Sequence, residues 1–139
     1  MNQRGFATLE VILMVMVIGI LASIAVPRFN SIATSANTAK VQSDLATIDT
    51  AIAIYQMENS EEPSMSNVKA YLQDADNIKP PIGDVYLNSS NSSEGNQGNQ
   101  GKLTITSSMS YDVTKQDDGE YRATLEGHTA GDFRKKSSD

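Results

Sequence analysis

The feature that most constrains this chain is the apolar run from Phe6 to Val26, 21 residues containing a single ionisable side chain, Glu10. At about 1.5 Å of rise per residue, a helix of that length extends about 31 Å, close to the hydrocarbon thickness of a bilayer. The run predicts a membrane-spanning helix. Glu10 is then the anomaly: a carboxylate in hydrocarbon costs about 2.5–3.5 kcal/mol on insertion scales, which marks it as a group with a partner and a function. Arg4 is the only basic residue ahead of the run, and the positive-inside bias places the amino end in the cytoplasm and the rest of the chain outside.

A basic residue, an apolar core and the small-any-small triplet Ser23-Ile24-Ala25 also describe a secretory signal peptide. On that alternative the chain is a secreted or membrane-anchored binding domain. Two features count against it: Glu10 falls early in the would-be h-region, and helix-compatible periodicity runs on past the triplet.

Gly5-Phe6-Ala7-Thr8-Leu9-Glu10, followed by the apolar run and Pro27, resembles the processing site and amino-terminal helix of type IV pilins and of the pseudopilins of type II secretion and competence systems. The resemblance implies an α+β chain of the type IV pilin fold, with a long amino-terminal helix, half transmembrane and half amphipathic, packed on a small antiparallel β-meander head. It implies cleavage by a prepilin peptidase between Gly5 and Phe6, methylation of the new amino group of Phe6, and assembly into a helical homo-oligomeric filament. Glu10 would pair there with the Phe6 ammonium of a neighbouring subunit. The implied partners are an inner-membrane assembly platform with its ATPase, and minor pilins. The implied location is a single-pass inner-membrane precursor that moves into an extracytoplasmic or surface filament. A surface pilus and a pseudopilus of type II secretion or DNA uptake both fit.

Physics makes the Glu10 pairing plausible, since opposite charges attract far more strongly in a low-dielectric core than in water, while either charge alone is costly. The pair also acts as a register device: the surrounding Leu, Ile, Val and Met side chains can slide, and the carboxylate cannot. The simpler alternative is that Glu10, near the processed end, snorkels to the interface. Pro27 removes an intrahelical hydrogen bond, so a kink or local break is expected there, and Gly19 adds a second soft point.

The resulting division is a leader at 1–5, a transmembrane and filament-core half of the first helix at 6–30, and a head at 31–139. Past Pro27, Val41, Leu45, Ile48, Ile52 and Tyr55 recur at helix spacing, with Lys40, Gln42, Asp44 and Asp49 off that stripe. The pattern predicts a continuous but kinked helix to about Met57, ended by the polar cluster Glu58 to Pro63. Two heptads are too few for a coiled coil, so the stripe reads as core packing. A shorter helix follows Pro63, capped by Ser64 or Ser66, with Val68, Tyr71, Leu72 and Ala75 on one face.

Asp84 to Leu87 reads as a strand. Period-two patterning then marks three more, through Leu103 and Ile105, through Met109, Tyr111 and Val113, and through Tyr121, Ala123 and Leu125, giving a three- to four-stranded antiparallel sheet. The tract from Asn88 to Gly101 is almost all Asn, Ser, Gly and Gln, and predicts a flexible surface loop. Its Asn-Ser-Ser triplets match a glycosylation acceptor by composition, and its glycines lack the spacing of a phosphate loop. Asp117, Asp118 and Glu120 are weak candidates for a structural calcium, but they match no complete ligand set, and Asp-Gly turn chemistry explains them.

No other cofactor is expected. The chain has no cysteine, so packing, hydrogen bonds or a bound ion must hold the last strands where many pilins use a disulfide. The formal charge of -6 becomes -6 - 1 = -7 without Arg4, and argues against a nucleic-acid-binding surface. Arg134, Lys135 and Lys136 form a basic patch in a tail that reads as solvated. His128 is the only histidine and supports neither a triad nor a metal cluster, so no catalysis is expected.

Overall fold

The computed structural model describes residues 3–88 and 101–133. The start of the leader, nearly all of the Asn/Ser/Gly tract and the Arg134-Lys135-Lys136 patch lie outside the described residues.

One helix, α1, runs unbroken from Gln3 to Glu58, 56 residues with Pro27 inside it. The local break expected at Pro27 is absent. Proline deletes one N–H donor, and with many turns already propagating on either side that single loss does not terminate the helix. Contacts divide the chain into two compact units, Met1–Ala33 and Thr34–Asp139.

Within the second unit, α1 turns Thr34, Thr38, Val41, Leu45, Ile48, Ala51, Ile52 and Tyr55 inward, all buried. These positions fall on one face at 3.6-residue spacing, and the apolar ones form one core with Val68, Leu72, Val85, Ile105, Tyr111, Ala123, Leu125 and Phe133. The helix stops at Glu58 with no basic residue in its last turn. Asn59 supplies the cap instead: its backbone N–H and its Nδ2 both donate to the Tyr55 carbonyl, at 2.8 and 3.2 Å.

Among the described residues four strands follow: β1 (Gly83–Tyr86), β2 (Lys102–Ile105), β3 (Tyr111–Lys115) and β4 (Tyr121–Leu125). They do not make the single sheet expected from the sequence. Among the described residues β1 pairs only with β2 and β3 only with β4, giving two antiparallel two-stranded sheets. The reason lies between β2 and β3, where Met109 is outside the strand and a turn closed by its N–H to the Thr106 carbonyl at 3.2 Å redirects the chain. The short helix is also curtailed. α2 spans only Met65–Val68 and tightens into a 3-10 turn at Lys69–Tyr71, so Leu72 and Ala75 join the core from the loop that follows.

Each hairpin is fastened to α1 by polar side chains that satisfy strand-edge donors. Thr38 Oγ1 donates to the Thr34 carbonyl at 2.6 Å and accepts the Tyr86 N–H at 2.9 Å. Gly83 lets β1 approach this closely, because a Cβ there would meet Asn37 Nδ2 at 3.0 Å and its φ of +126° is strained for any side chain. On the other hairpin, Asp49 Oδ1 accepts the Ala123 N–H at 2.7 Å, and Tyr111 Oη donates to Asp44 Oδ2 at 2.8 Å. Asp44 also pairs with Lys40 at 2.6 Å.

The carboxy-terminal segment is held without a disulfide. After β4 the chain reverses through Glu126 and Gly127, both at positive φ, and His128 bonds back to Leu125 in both directions at 2.9 and 3.0 Å. A 3-10 turn at Ala130–Asp132 is closed by a reciprocal capping box between Thr129 and Asp132. It delivers Phe133 into the core with no exposed surface.

Candidate assembly surface

In the first unit, described by itself, α1 exposes apolar side chains on every face between Phe6 and Val26, interrupted by Thr8, Glu10 and Ser23. Sixteen large hydrophobic side chains between Phe6 and Ile32 are exposed, Phe6 at 76%. The helix is long and apolar enough to cross a membrane, and none of its most apolar window is buried. A helix apolar on every face must be covered by lipid or by other helices.

Gly5 and Phe6 lie inside the helix and are exposed. Thr8 Oγ1 donates to the Arg4 carbonyl at 2.9 Å, tying the turn that spans the Gly5–Phe6 bond. Glu10 stands one turn beyond Phe6, exposed, and among the described residues it has no ion-pair partner. An i, i+4 relation puts Phe6 and Glu10 on one face, where the positive end of a helix beginning at Phe6 would favour the carboxylate. Pro27 sits within the same helix, at the far end of the apolar run.

The head offers little chemistry. Asp118 Oδ1 accepts the Glu120 N–H at 2.9 Å and Glu120 pairs with Arg122 at 2.9 Å, so two of the three calcium candidates are engaged in the turn itself. Among the described residues no group of three or more His, Cys, Asp or Glu is arranged to hold a metal ion. A cleft of 630 Å³ beside Met65, Lys69, Asp76, Lys79, Tyr111 and Asp112 contains no histidine or cysteine.

Burial, reinforced by the hydrogen bond to Asp44, pushes the Tyr111 hydroxyl well above its usual range. Glu62 is lowered by a hydrogen bond from Tyr121 and by the Lys115 charge. The Lys115–Glu62 pair, 3.6 Å apart and exposed on both sides, contributes little to stability.

The sequence reading missed Asp44, Asp49 and Thr38 as fastening residues. A carboxylate flanking a buried stripe has the same pattern whether it is solvated or bonded, and the partners lie 67 and 74 positions away for the two aspartates.

No protein-family model matches the chain, and no solved structure does. Curated relatives do. The chain is 36% identical over 63 residues to the type II secretion system core protein G of Klebsiella michiganensis, covering 45% of this chain and 44% of that protein. It is 31% identical over 79 residues to the protein of the same name from Escherichia coli, covering 57% and 54%. It is 36% identical over 70 residues to the major component of a type IV narrow pilus of Thermus thermophilus, covering 50% and 60%. The chain spans about half the length of the curated relatives it matches. Among the described residues the chain combines one long apolar helix, a Gly-Phe-Glu motif at its start and a small α+β head, and over about half its length it is similar to type II secretion core protein G and to a type IV pilus major component.

Proposed function

We propose that this chain is a structural subunit of a type IV pilus or a related pseudopilus. It is stored in the inner membrane with its amino end in the cytoplasm, cut by a prepilin peptidase after Gly5, methylated on Phe6, and packed through its apolar helix into a helical filament. An assembly platform with its ATPase supplies the energy and minor pilins share the structure; the chain itself catalyses nothing and needs no cofactor. The observation that carries this reading is the lone carboxylate of Glu10, one turn past Gly5–Phe6, on a helix whose exposed surface carries no other ionisable side chain between Phe6 and Val26. Lipid covers that surface and leaves Glu10 unsatisfied, whereas a bundle of copies covers it and supplies an ammonium.

The similarity to proteins named for type II secretion supports a pseudopilus, and the similarity to a pilus major component supports a surface fibre. Either office uses the same assembly chemistry. Intact-mass measurement of protein extracted from membranes tests the common part. Loss of Met1 to Gly5 with one methyl group gained on Phe6 is expected. A new terminus at Val26 would instead identify a signal peptide and a secreted binding domain, and a retained leader in cells that contain the peptidase would overturn the proposal.

A further inference from the structure

The stretch Lys79-Pro80-Pro81-Ile82 leads into β1. Ile82 is 71% exposed, one of three large apolar side chains left open among the described residues of the second unit, with Ile54 and Met57. Lys79 is exposed too, and among the described residues it has no ion-pair partner. Proline fixes its own φ and pushes the residue before it towards extended backbone, so two in a row stiffen the segment. Extended polyproline turns once in about three residues, which sets Lys79 and Ile82 on one side, about 9 Å apart.

A groove of 420 Å³ lies between α1 and the β3–β4 hairpin. Ile52 and Ala53 from α1 and Tyr121 from β4 give it apolar surface, while Asp49, Glu120 and Arg122 leave it one carboxylate in excess. An exposed isoleucine three residues from an unpaired ammonium complements such a groove in both polarity and sign.

The two features cannot meet within one copy. Ile82 adjoins Gly83, where a Cβ would stand 3.0 Å from Asn37 Nδ2, whereas the groove is built on α1 at Ala53, 16 positions further on. At about 3.6 residues per turn and 1.5 Å per residue, that is about 160° round the helix and about 24 Å along it. The segment and the groove therefore open on opposite flanks of the buried stripe of α1.

We propose that the Lys79–Ile82 segment of one copy docks in the groove between α1 and the β3–β4 hairpin of the next, with Ile82 against Ile52, Ala53 and Tyr121 and the Lys79 ammonium against the Glu120 carboxylate. Among the described residues Arg122 occupies only one of the Glu120 oxygens, at 2.9 Å, and the other can accept. The contact rests on the filament reading above and gives that filament a specific bond between heads. It joins unlike surfaces on opposite flanks with an axial offset, so it repeats as a ramp without closing, as a fibre requires. The stiffness of the two prolines lowers the ordering cost of docking. Every residue involved belongs to the second unit.

The chain has no cysteine, so introduced thiols report on this contact without background. In full-length protein carrying Ile82→Cys and Ala53→Cys, oxidised filaments should give a ladder of covalent multimers on a denaturing gel. A control pair, Ile82→Cys with Thr47→Cys, should not ladder, because Thr47 is exposed on α1 about 120° away from Ala53. Filaments that form without a ladder, a control ladder of equal strength, dimers from Ile82→Cys alone, or adducts with another protein in place of multimers would each overturn the contact while leaving the filament reading intact. Absence of any polymer from the unmodified chain would overturn both.

Should the double-cysteine chain fail to polymerise, charge variants decide the matter. Ile82 and Lys79 are exposed, so replacing either should leave thermal unfolding of the head unchanged. Ile82→Asp should lower sheared filament at least about tenfold, because it seats an unpaired carboxylate in the contact. Lys79→Glu and Glu120→Lys should each lower it severalfold, and the two together should recover most of it. Wild-type yield from Ile82→Asp, or no recovery in the doubly reversed chain, would end the proposal.

Discussion

Asp49 and Ala123, 74 positions apart, are joined by a hydrogen bond of 2.7 Å in which the Ala123 backbone N–H donates to the carboxylate. Ala123 is fully buried, so this donor has no access to water. Asp49→Ala leaves it unsatisfied and should cost about 1–3 kcal/mol, the usual penalty for an orphaned buried donor. Asp49→Asn keeps an acceptor oxygen and should lose less. Thermal unfolding of the full chain in detergent, followed by circular dichroism, gives the comparison. Equal melting of Asp49→Ala and wild type would show that the hairpin is held by apolar contacts alone.

Tyr111 and Asp44 make the second such contact, and it titrates. Burial and the adjacent carboxylate hold the Tyr111 hydroxyl neutral above its ordinary pKa of about 10. A pKa raised on folding stabilises the native state fully below the unfolded value, and the contribution is lost as pH climbs from there towards the folded value. The head should therefore weaken progressively above about pH 10. Tyr111→Phe should be less stable at neutral pH by about 1.5–3 kcal/mol, the range for a hydrogen bond to a charged group. It should also show a shallower loss between neutral and alkaline pH. Parallel melting curves across that range for the two proteins measure it; identical alkaline slopes would assign the loss to other groups.

How much of this architecture could be read from the sequence follows from the range of the interactions involved. Val41, Leu45, Ile48, Ile52 and Tyr55 announce a buried helical face through spacing alone, and all five are buried. The strands near Val85, Leu103, Tyr111 and Ala123 are equally local signals, and each is present. Which strand pairs with which is a long-range decision. The two separate hairpins depend on the turn at Thr106 to Met109 and on edge donors taken by Thr38 and Asp49, and neither leaves a periodic trace. The Glu10 feature was legible because a charge in an apolar run is conspicuous without any knowledge of the fold.

Phe133 takes the place of a disulfide in holding the last segment. It is fully buried, meets the His128 ring edge-on at 6.0 Å between centroids, and follows a turn whose Asp132 carbonyl accepts the Asn88 N–H at 2.7 Å. Truncating it empties a core site, so Phe133→Ala should destabilise the head by about 3–5 kcal/mol. Phe133→Leu should cost less by keeping most of the volume. Limited proteolysis of the full chain should cut near His128 to Asp132 in the Ala variant first, with the Leu variant intermediate. If all three proteins are cut at one rate, the segment is anchored by its backbone hydrogen bonds instead.

Glu10 gives the sharpest test because insertion and assembly make opposite demands on it. A membrane-spanning helix gains from losing a carboxylate, by about 2.5–3.5 kcal/mol at the bilayer centre and less near an interface, so Glu10→Ala should insert and be processed at least as well as wild type. In the filament proposed above the same change leaves the Phe6 ammonium that met Glu10 buried and unpaired at about 3–5 kcal/mol, repeated at every subunit. Glu10→Asp retains the charge on a side chain one methylene shorter and should fall between the two. The expected result is normal amounts of processed Glu10→Ala protein in the membrane with almost none in the sheared filament fraction, and partial incorporation of Glu10→Asp. Wild-type filament from the Ala variant would mean that apolar packing alone sets the register and that the carboxylate merely reaches the interface.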